Sequence, residues 1–170
     1  MLELDKIKIK NNFNLGNFII AVLLPLTVGF IAGRLNSQSM EVYTSFEKPA
    51  FFPPAWVFPV VWTILYILMG IASYLVWSSS SSKKEARSAL TFYLIQLGLN
   101  FAWTFIFFTC RLYGLAFLEL ILLLIFVIIT TVKFCKISKV AGLMMIPYII
   151  WLLYAGVLNF YIWKAYEMTA

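Results

Sequence analysis

Five long apolar runs, separated by short polar stretches, dominate the pattern of hydrophobic positions along the chain. The runs cover about residues 18–35, 55–77, 89–110, 114–134 and 142–163. They are continuously apolar and do not alternate, which excludes the strands of a membrane β-barrel. Each has the roughly 20 residues that a helix needs to cross a hydrocarbon core about 30 Å thick. The pattern predicts an all-α membrane protein, a five-transmembrane-helix bundle that forms one domain over residues 1–170.

Two of the connections between the runs are long. Residues 36–53, "NSQSMEVYTSFEKPAFFP", are too many for a tight turn and too aromatic for a solvated loop, so we interpret them as a lid segment folded onto one mouth of the bundle. Ser78–Ser88, "SSSSSKKEARS", is predicted to be a flexible hydrophilic linker. Pro53 and Pro54 lack backbone donors and have a fixed φ, so we expect them just before and at the first turn of the second long helix.

Composition supports the membrane assignment. The chain is 63% hydrophobic and only 12% charged, whereas soluble domains are roughly 45–50% apolar and about 25% charged. The net charge of +6 comes from short clusters between the apolar runs. Because these clusters form no basic face and no groove-reading motif, nucleic acid is excluded as a partner, and the lipid bilayer is expected.

The positive residues predict an orientation. The larger set falls on one side of the membrane: Lys6, Lys8, Lys10, Lys83, Lys84, Arg87, Lys133, Lys136 and Lys139. The smaller set falls on the other: Arg34, Lys48, Arg111 and Lys164. The positive-inside rule then places the N-terminus inside and the lid segment outside. We expect a bacterial cell membrane, with the mitochondrial outer membrane as the alternative.

The first run resembles a signal peptide in having lysines before an apolar stretch, but it has no clear small-residue cleavage site. It contains Pro25 and the pair Gly29 and Gly33, whose spacing suits helix packing. We therefore expect a retained first helix.

The cysteines and the missing histidines limit the chemistry. Cys110 and Cys135 flank one predicted span, so they lie about 30 Å apart, while a disulfide needs Cα atoms within roughly 7 Å. We expect free thiols. The chain has no histidine, which excludes a His-ligated metal and a His base. No metal and no cofactor are expected, and no enzyme motif is present.

Three helices each place a tryptophan on one face together with polar or small residues. Helix by helix, these faces are Phe58, Trp62 and Tyr66; Gln96, Asn100, Trp103 and Phe107; and Tyr148, Trp151, Ala155 and Asn159. Trp62 and Trp151 lie well inside their spans, where interfacial anchoring does not explain a tryptophan. If the faces converge, they enclose an apolar aromatic cavity with a few polar groups, which suits a flat hydrophobic ligand.

Several polar residues have two interpretations. Asn100, near mid-membrane, either joins helices by hydrogen bonds or lines a cavity. Glu119 is either a proton or substrate relay, as in a small proton-coupled exporter, or a carboxyl that pairs with Arg111 or stays protonated near the interface. Leu158, Tyr161 and Lys164 fit the loose cholesterol-contact pattern, which is weak by itself.

Three stretches carry a resemblance to a known family. They are "YTSFEKPAFFPPAWVFPVVWTILYILMGIASYLVW" (Tyr43–Trp77), "QLGLNFAWTFIFFTCRLYG" (Gln96–Gly114) and "PYIIWLLYAGVLNFYIW" (Pro147–Trp163). In order and spacing they resemble the TspO/MBR family, also called translocator, tryptophan-rich sensory or peripheral-type benzodiazepine receptor proteins. The resemblance extends over nearly the whole chain after Gly16.

The resemblance implies five transmembrane helices, usually a homodimer, and a ligand cavity covered by the first loop. It implies binding of porphyrins or other tetrapyrroles, of benzodiazepine- or isoquinoline-type drugs, and of sterols in some members, for sensing, sequestration or transport. Carried over by position, the cavity residues are Tyr43, Pro53, Phe58, Trp62, Tyr66, Asn100, Trp103, Trp151 and Ala155. Helix periodicity adds Tyr148.

Two further functions are alternatives to ligand binding for sensing, sequestration or transport. Some members are reported to degrade porphyrins in light, and the two tryptophans implicated match Trp62 and Trp151. The chain would then be a light-dependent, porphyrin-degrading enzyme. In the other alternative it is a membrane scaffold whose protein partners respond to ligand occupancy.

The sequence departs from the family pattern in the lid segment and at the C-terminus. Val42 and Phe51 replace common tryptophans, and Lys164-Ala165-Tyr166 replaces a frequent Arg-Asp-Asn, which puts strong sterol binding in doubt. The histidines of animal members beside the double proline are absent, which weakens iron-porphyrin coordination. Gly98 and Ala102 leave a close contact between copies possible on the third helix, through which family members often dimerise.

Overall fold

The structure is a computed structural model that describes residues 13–79 and 82–168. In chain order its helices are α1 (Leu15–Leu35), α2 (Ser39–Ser45), α3 (Val57–Trp77), α4 (Lys83–Thr104, continued by the π-helical segment Phe105–Thr109), α5 (Tyr113–Ile137) and α6 (Lys139–Tyr166). Five of them are long and apolar enough to span a membrane. The predicted all-α architecture of five spanning helices is confirmed, and the described residues contain no strand.

The ends of two helices differ from the prediction. Helix α4 begins at Lys83, so most of the predicted linker is helical. Lysine, glutamate, alanine and arginine are good helix formers, and this propensity extends the helix beyond its apolar run. Helix α3 begins at Val57, later than the double proline predicted. Pro54 instead closes the turn before the helix, where its carbonyl accepts from the Val57 amide at 3.0 Å. Lys6, Lys8, Lys10, Ser80 and Ser81 lie outside the described residues.

Glycines allow α1 and α3 to approach closely at two points. A Cβ added at Gly70 would lie 2.6 Å from the Cα of Val22, so the two backbones are in contact there. A Cβ at Gly29 would overlap the ring of Tyr66. Gly33, the other half of the predicted packing pair, has no neighbour within 4 Å of such a Cβ. Helices α1 and α3 therefore pack tightly at Gly70 and Gly29 and leave open space at Gly33.

The lid segment is not a loop throughout, as the sequence predicts, but is partly helical. It contains the short helix α2, whose Val42 and Tyr43 are buried. Phe46, which follows α2, lies against Phe107 and Tyr113, with ring centroids 6.2 and 5.6 Å away. Aromatic burial against α4 and α5 thus anchors the segment on one end of the bundle.

Hydrogen bonds hold the lid segment to α6 at two further points. The Tyr154 hydroxyl donates to the Phe51 carbonyl at 2.7 Å, and the Glu47 amide donates to the Tyr166 hydroxyl at 2.6 Å. Both tyrosines belong to α6. The position of the lid segment therefore depends on the C-terminal third of the chain.

Both cysteines are free and exposed. Cys110 lies just before α5 and Cys135 near its end, so a whole spanning helix separates them. This agrees with the prediction of free thiols.

Candidate ligand cavity

A large cavity of about 710 Å³ opens among the helices beneath the lid segment. Ligand pockets typically have volumes of about 300–1,000 Å³. Its lining residues come from every spanning helix and from the lid segment: Leu26, Gly29, Phe30, Ala32, Gly33, Arg34, Ser37, Ser39, Met40, Tyr43, Phe58, Pro59, Trp62, Thr63, Tyr66, Asn100, Trp103, Thr104, Phe108, Leu120, Leu123, Trp151, Leu152 and Ala155. The lining is mostly apolar and aromatic.

Edge-to-face aromatic contacts form one wall of this cavity. The Tyr43 ring meets Phe58 at 4.7 Å, and Phe58 meets Trp151 at 5.7 Å. Trp151 lies 6.4 Å from Trp62, whose ring stacks on Tyr66 at 5.5 Å. Rings at such separations prefer offset or edge-on geometry and hold one another in place. The result is a fixed apolar wall that runs from the lid segment into the bundle.

Asn100 joins three helices at the inner end of the wall. Tyr66 on α3 donates to its Oδ1 at 3.0 Å, and its Nδ2 donates to the Tyr148 hydroxyl on α6 at 2.6 Å. Asn100 is buried and also lines the cavity. Asn100 therefore has both of the roles considered from the sequence, because it links helices by hydrogen bonds and also borders the cavity.

A second amide bridge supports Trp103. Its indole Nε1 donates to the Asn159 Oδ1 at 3.2 Å, and the Asn159 Nδ2 donates to the Tyr113 carbonyl at 2.9 Å. Trp103 also stacks on Phe107 at 4.8 Å. The Trp103 ring is therefore fixed by α5 and α6, and its donor is not available to a ligand.

Trp151 differs from Trp103 in this respect. Its Nε1 is buried and has no hydrogen-bond partner among the described residues, while its ring lines the cavity. A buried polar group is normally paired. An acceptor atom on a bound molecule would supply the missing partner.

Most of the predicted site residues meet in this one cavity. Those that line it are Tyr43, Phe58, Trp62, Tyr66, Asn100, Trp103, Trp151 and Ala155. Pro53 and Tyr148 do not line it. The Pro53 carbonyl accepts from the Tyr43 hydroxyl at 2.6 Å, and Tyr148 lies behind the wall, bonded to Asn100. Both hold lining residues in position.

The contribution of α1 was missed by the sequence reasoning. Phe30, Gly33 and Arg34 line the cavity, but α1 is apolar almost all round and has no tryptophan or mid-span polar residue to mark a face. The glycine pair was the available signal, because the space beside Gly33 belongs to the cavity. From the sequence alone, the pair indicates only a packing motif.

Tyr43 is the aromatic residue of the lid segment that lines the cavity. Burial, together with a smaller contribution from the neighbouring Tyr154, raises the pKa of Tyr43 to about 12. Its hydroxyl thus stays protonated at neutral pH and keeps its bond to Pro53. Lys48 lies 4.4 Å from the Tyr43 ring centroid and donates to the Tyr43 carbonyl at 2.7 Å. Tyr43 is held by contacts on both sides.

The remaining candidate residues lie elsewhere. Both carboxyl oxygens of Glu119 are buried without a hydrogen-bond partner in the described part of the chain, so the pairing with Arg111, one of the alternatives for this residue, is not formed. Leu158 is buried, whereas Tyr161 and Lys164 are exposed, so the three sterol-pattern residues do not share one surface. Among the described residues no group of three His, Cys, Asp or Glu side chains could hold a metal ion.

Comparison with known proteins places the chain in one family. The sequence profile of the TspO/MBR family matches residues 21–164. The tryptophan-rich protein TspO of Chlorobaculum tepidum is 36% identical over 142 residues, 83% of this chain and 90% of that protein. The tryptophan-rich protein TspO of Archaeoglobus fulgidus is 38% identical over 151 residues, 88% of this chain and 97% of that protein. The translocator protein of Homo sapiens is 36% identical over 144 residues, 84% of this chain and 85% of that protein. The chain is an integral membrane protein with five spanning helices, and it belongs to the TspO/MBR family.

Proposed function

We propose that this membrane protein binds porphyrins and other flat hydrophobic molecules in the cavity beneath the lid segment, for sensing, sequestration or transport. The observation that carries the proposal is the aromatic wall from Tyr43 to Tyr66 along an apolar cavity of about 710 Å³. A planar ligand buries its faces against such rings with little loss of side-chain entropy, because the rings already hold one another. The unpartnered Trp151 Nε1 adds one directional contact for an acceptor atom.

Family membership and composition support the rest of the proposal. Relatives at 35–36% identity carry the names translocator protein and tryptophan-rich sensory protein, which fit transport or sensing. We propose a bacterial cell membrane with the N-terminus inside, and a homodimer that uses the exposed face of α4 around Gly98.

The first test is quenching of tryptophan fluorescence by protoporphyrin IX, with the protein in nonionic detergent and in the dark. We expect saturable quenching that weakens in Asn100→Leu, since this change removes the polar group at the inner end of the wall. Gln96→Leu is the matched control, because Gln96 is buried on the same helix but does not line the cavity. Quenching that does not saturate, or that is equal in the two variants, would contradict binding in this cavity.

The alternative function, light-dependent porphyrin degradation, gains support from one distance. The rings of Trp62 and Trp151 lie 6.4 Å apart on the same cavity wall, so one bound macrocycle can contact both.

To test this alternative, the porphyrin-bound samples from the quenching measurement are illuminated. Loss of the porphyrin absorbance in wild type, absent in Trp62→Phe and Trp151→Phe, would favour the enzyme. An unchanged spectrum in light would leave binding as the function.

A further inference from the structure

The cavity has one charged side chain at its mouth. Arg34, in the last turn of α1, is the only acidic or basic residue among the described residues that line the cavity. Its guanidinium lies 5.3 Å from the ring centroid of Phe30, and no carboxylate pairs with it in the described part of the chain. The guanidinium is thus an exposed cation at the mouth of an apolar cavity, without a carboxylate beside it among the described residues.

Several other polar groups of the lining are already in hydrogen bonds within the protein. Tyr66 and Asn100 bond to each other, and Trp103 bonds to Asn159. The hydroxyls of Thr63 and Thr104 donate to backbone carbonyls of their own helices. The Arg34 guanidinium at the mouth and the buried Trp151 Nε1 are both donors, and the Trp151 Nε1 has no partner among the described residues. These two groups are complementary to acceptor atoms on a ligand.

The position of Arg34 also matters. Helix α1 is in backbone contact with α3 at Gly70 but leaves open space at Gly33, one residue before Arg34. Phe30, which the guanidinium covers, lines the cavity and is 65% exposed. A molecule that fills the cavity and reaches this gap would place its outer end beside the guanidinium. An arginine at the end of a spanning helix also serves as an interfacial anchor, but anchoring alone does not require it to border the cavity.

We propose that the physiological ligand is an amphiphile with an anionic group, a carboxylate above all, and that Arg34 selects it by pairing with that group at the cavity mouth. This inference rests on the proposed function and narrows it to one chemical class. Guanidinium and carboxylate form paired, charge-assisted hydrogen bonds. Neutral drugs and sterols of similar size would lack this contact.

The test compares protoporphyrin IX with its dimethyl ester, which has the same macrocycle without charge, by fluorescence quenching in nonionic detergent. For an arginine this exposed, we expect wild type to prefer the diacid by roughly five- to tenfold. In Arg34→Gln the diacid weakens by that factor and the ester is unchanged. Arg34→Lys keeps the charge and should restore part of the preference. Arg111→Gln, which removes an exposed charge that does not line the cavity, should behave as wild type.

The outcomes separate the two proposals. Saturable binding of both porphyrins with equal affinity in wild type, or an equal loss of both in Arg34→Gln, would overturn the inference and leave the proposed function standing. No saturable binding of either porphyrin would overturn both. The quenching measurements are then repeated in micelles that contain anionic lipid, because a lipid headgroup is the other anion that Arg34 could bind. If that lipid abolishes the diacid preference while zwitterionic lipid does not, Arg34 holds a lipid headgroup, and the inference is overturned.

Discussion

At the scale of single residues, two buried amides on α4 differ in how well they are satisfied. Asn100 uses its oxygen and its nitrogen in bonds to Tyr66 and Tyr148. Gln96 is equally hidden, but its Nε2 meets only the Met69 sulfur at 3.8 Å and its Oε1 has no partner among the described residues. Removing a satisfied amide strands its partners, whereas removing an unsatisfied one relieves a desolvation penalty. Substitution by leucine should therefore lower the free energy of unfolding at position 100 but not at position 96.

We expect Asn100→Leu to lower the free energy of unfolding by about 1 kcal/mol, since interhelical hydrogen bonds in membrane proteins contribute roughly 0.6–2 kcal/mol each. We expect Gln96→Leu, of similar volume, to be neutral or stabilising. Thermal or denaturant unfolding in detergent micelles measures both. A larger loss in Gln96→Leu than in Asn100→Leu would show that the bonds to the two tyrosines contribute little.

At the scale of elements, the glycines of α3 and α4 have contrasting surroundings. Gly70 on α3 faces the backbone of α1, with Val22 Cα at 2.6 Å and Ala21 O at 2.8 Å from an added Cβ. Gly98 on α4 is exposed and has no neighbour within 4 Å of such a Cβ. One glycine thus maintains a contact inside the protomer, and the other leaves a shallow site on its outer surface where a second copy can approach closely.

Substitutions at these glycines separate folding from assembly. Gly98→Leu should leave the unfolding transition of the protomer unchanged and shift the proposed homodimer toward monomer, measured by light scattering after size-exclusion chromatography in detergent. Gly70→Ala should lower the unfolding transition and leave the monomer–dimer equilibrium unchanged, because the added methyl group cannot fit without separating α1 from α3. A Gly98→Leu protein that remains fully dimeric would exclude this face of α4 as the interface.

At the scale of the whole molecule, the natural cysteines report its orientation. Cys110 and Cys135 are free, exposed and separated by the length of α5. With the N-terminus inside, Cys110 faces outward with the lid segment and Cys135 faces the cytoplasm. No engineered site is needed to distinguish the two topologies.

When a membrane-impermeant maleimide is added to intact bacterial cells that express the protein, we expect labelling in Cys135→Ser and none in Cys110→Ser. Permeabilised cells should label both variants and provide the control for access. The reverse pattern in intact cells would mean that the N-terminus and the lysine-rich loops lie outside.

The sequence predicted the five spans and the convergence of three aromatic faces, because an apolar run of about 20 residues and a 3.6-residue period are both local signals. It did not predict helix α2, the late start of α3 or the share of α1 in the cavity. These depend on tertiary contacts: Phe46 packs on Phe107, and Arg34 meets the cavity only through the space beside Gly33. The sequence also left the surroundings of Glu119 open, and the structure excludes only its pairing with Arg111, because nearness along the chain does not decide which side chains meet.

The close fit of the Tyr66 ring over Gly29 has an evolutionary consequence. Any side chain at position 29 overlaps this ring, while the ring itself borders the cavity and bonds to Asn100. A lineage that keeps tyrosine at position 66 in this position is therefore expected to keep glycine at position 29. Alanine or serine at position 29 requires the Tyr66 ring to move or to be replaced by a smaller side chain. Substitutions at these two positions should therefore co-vary across related genomes.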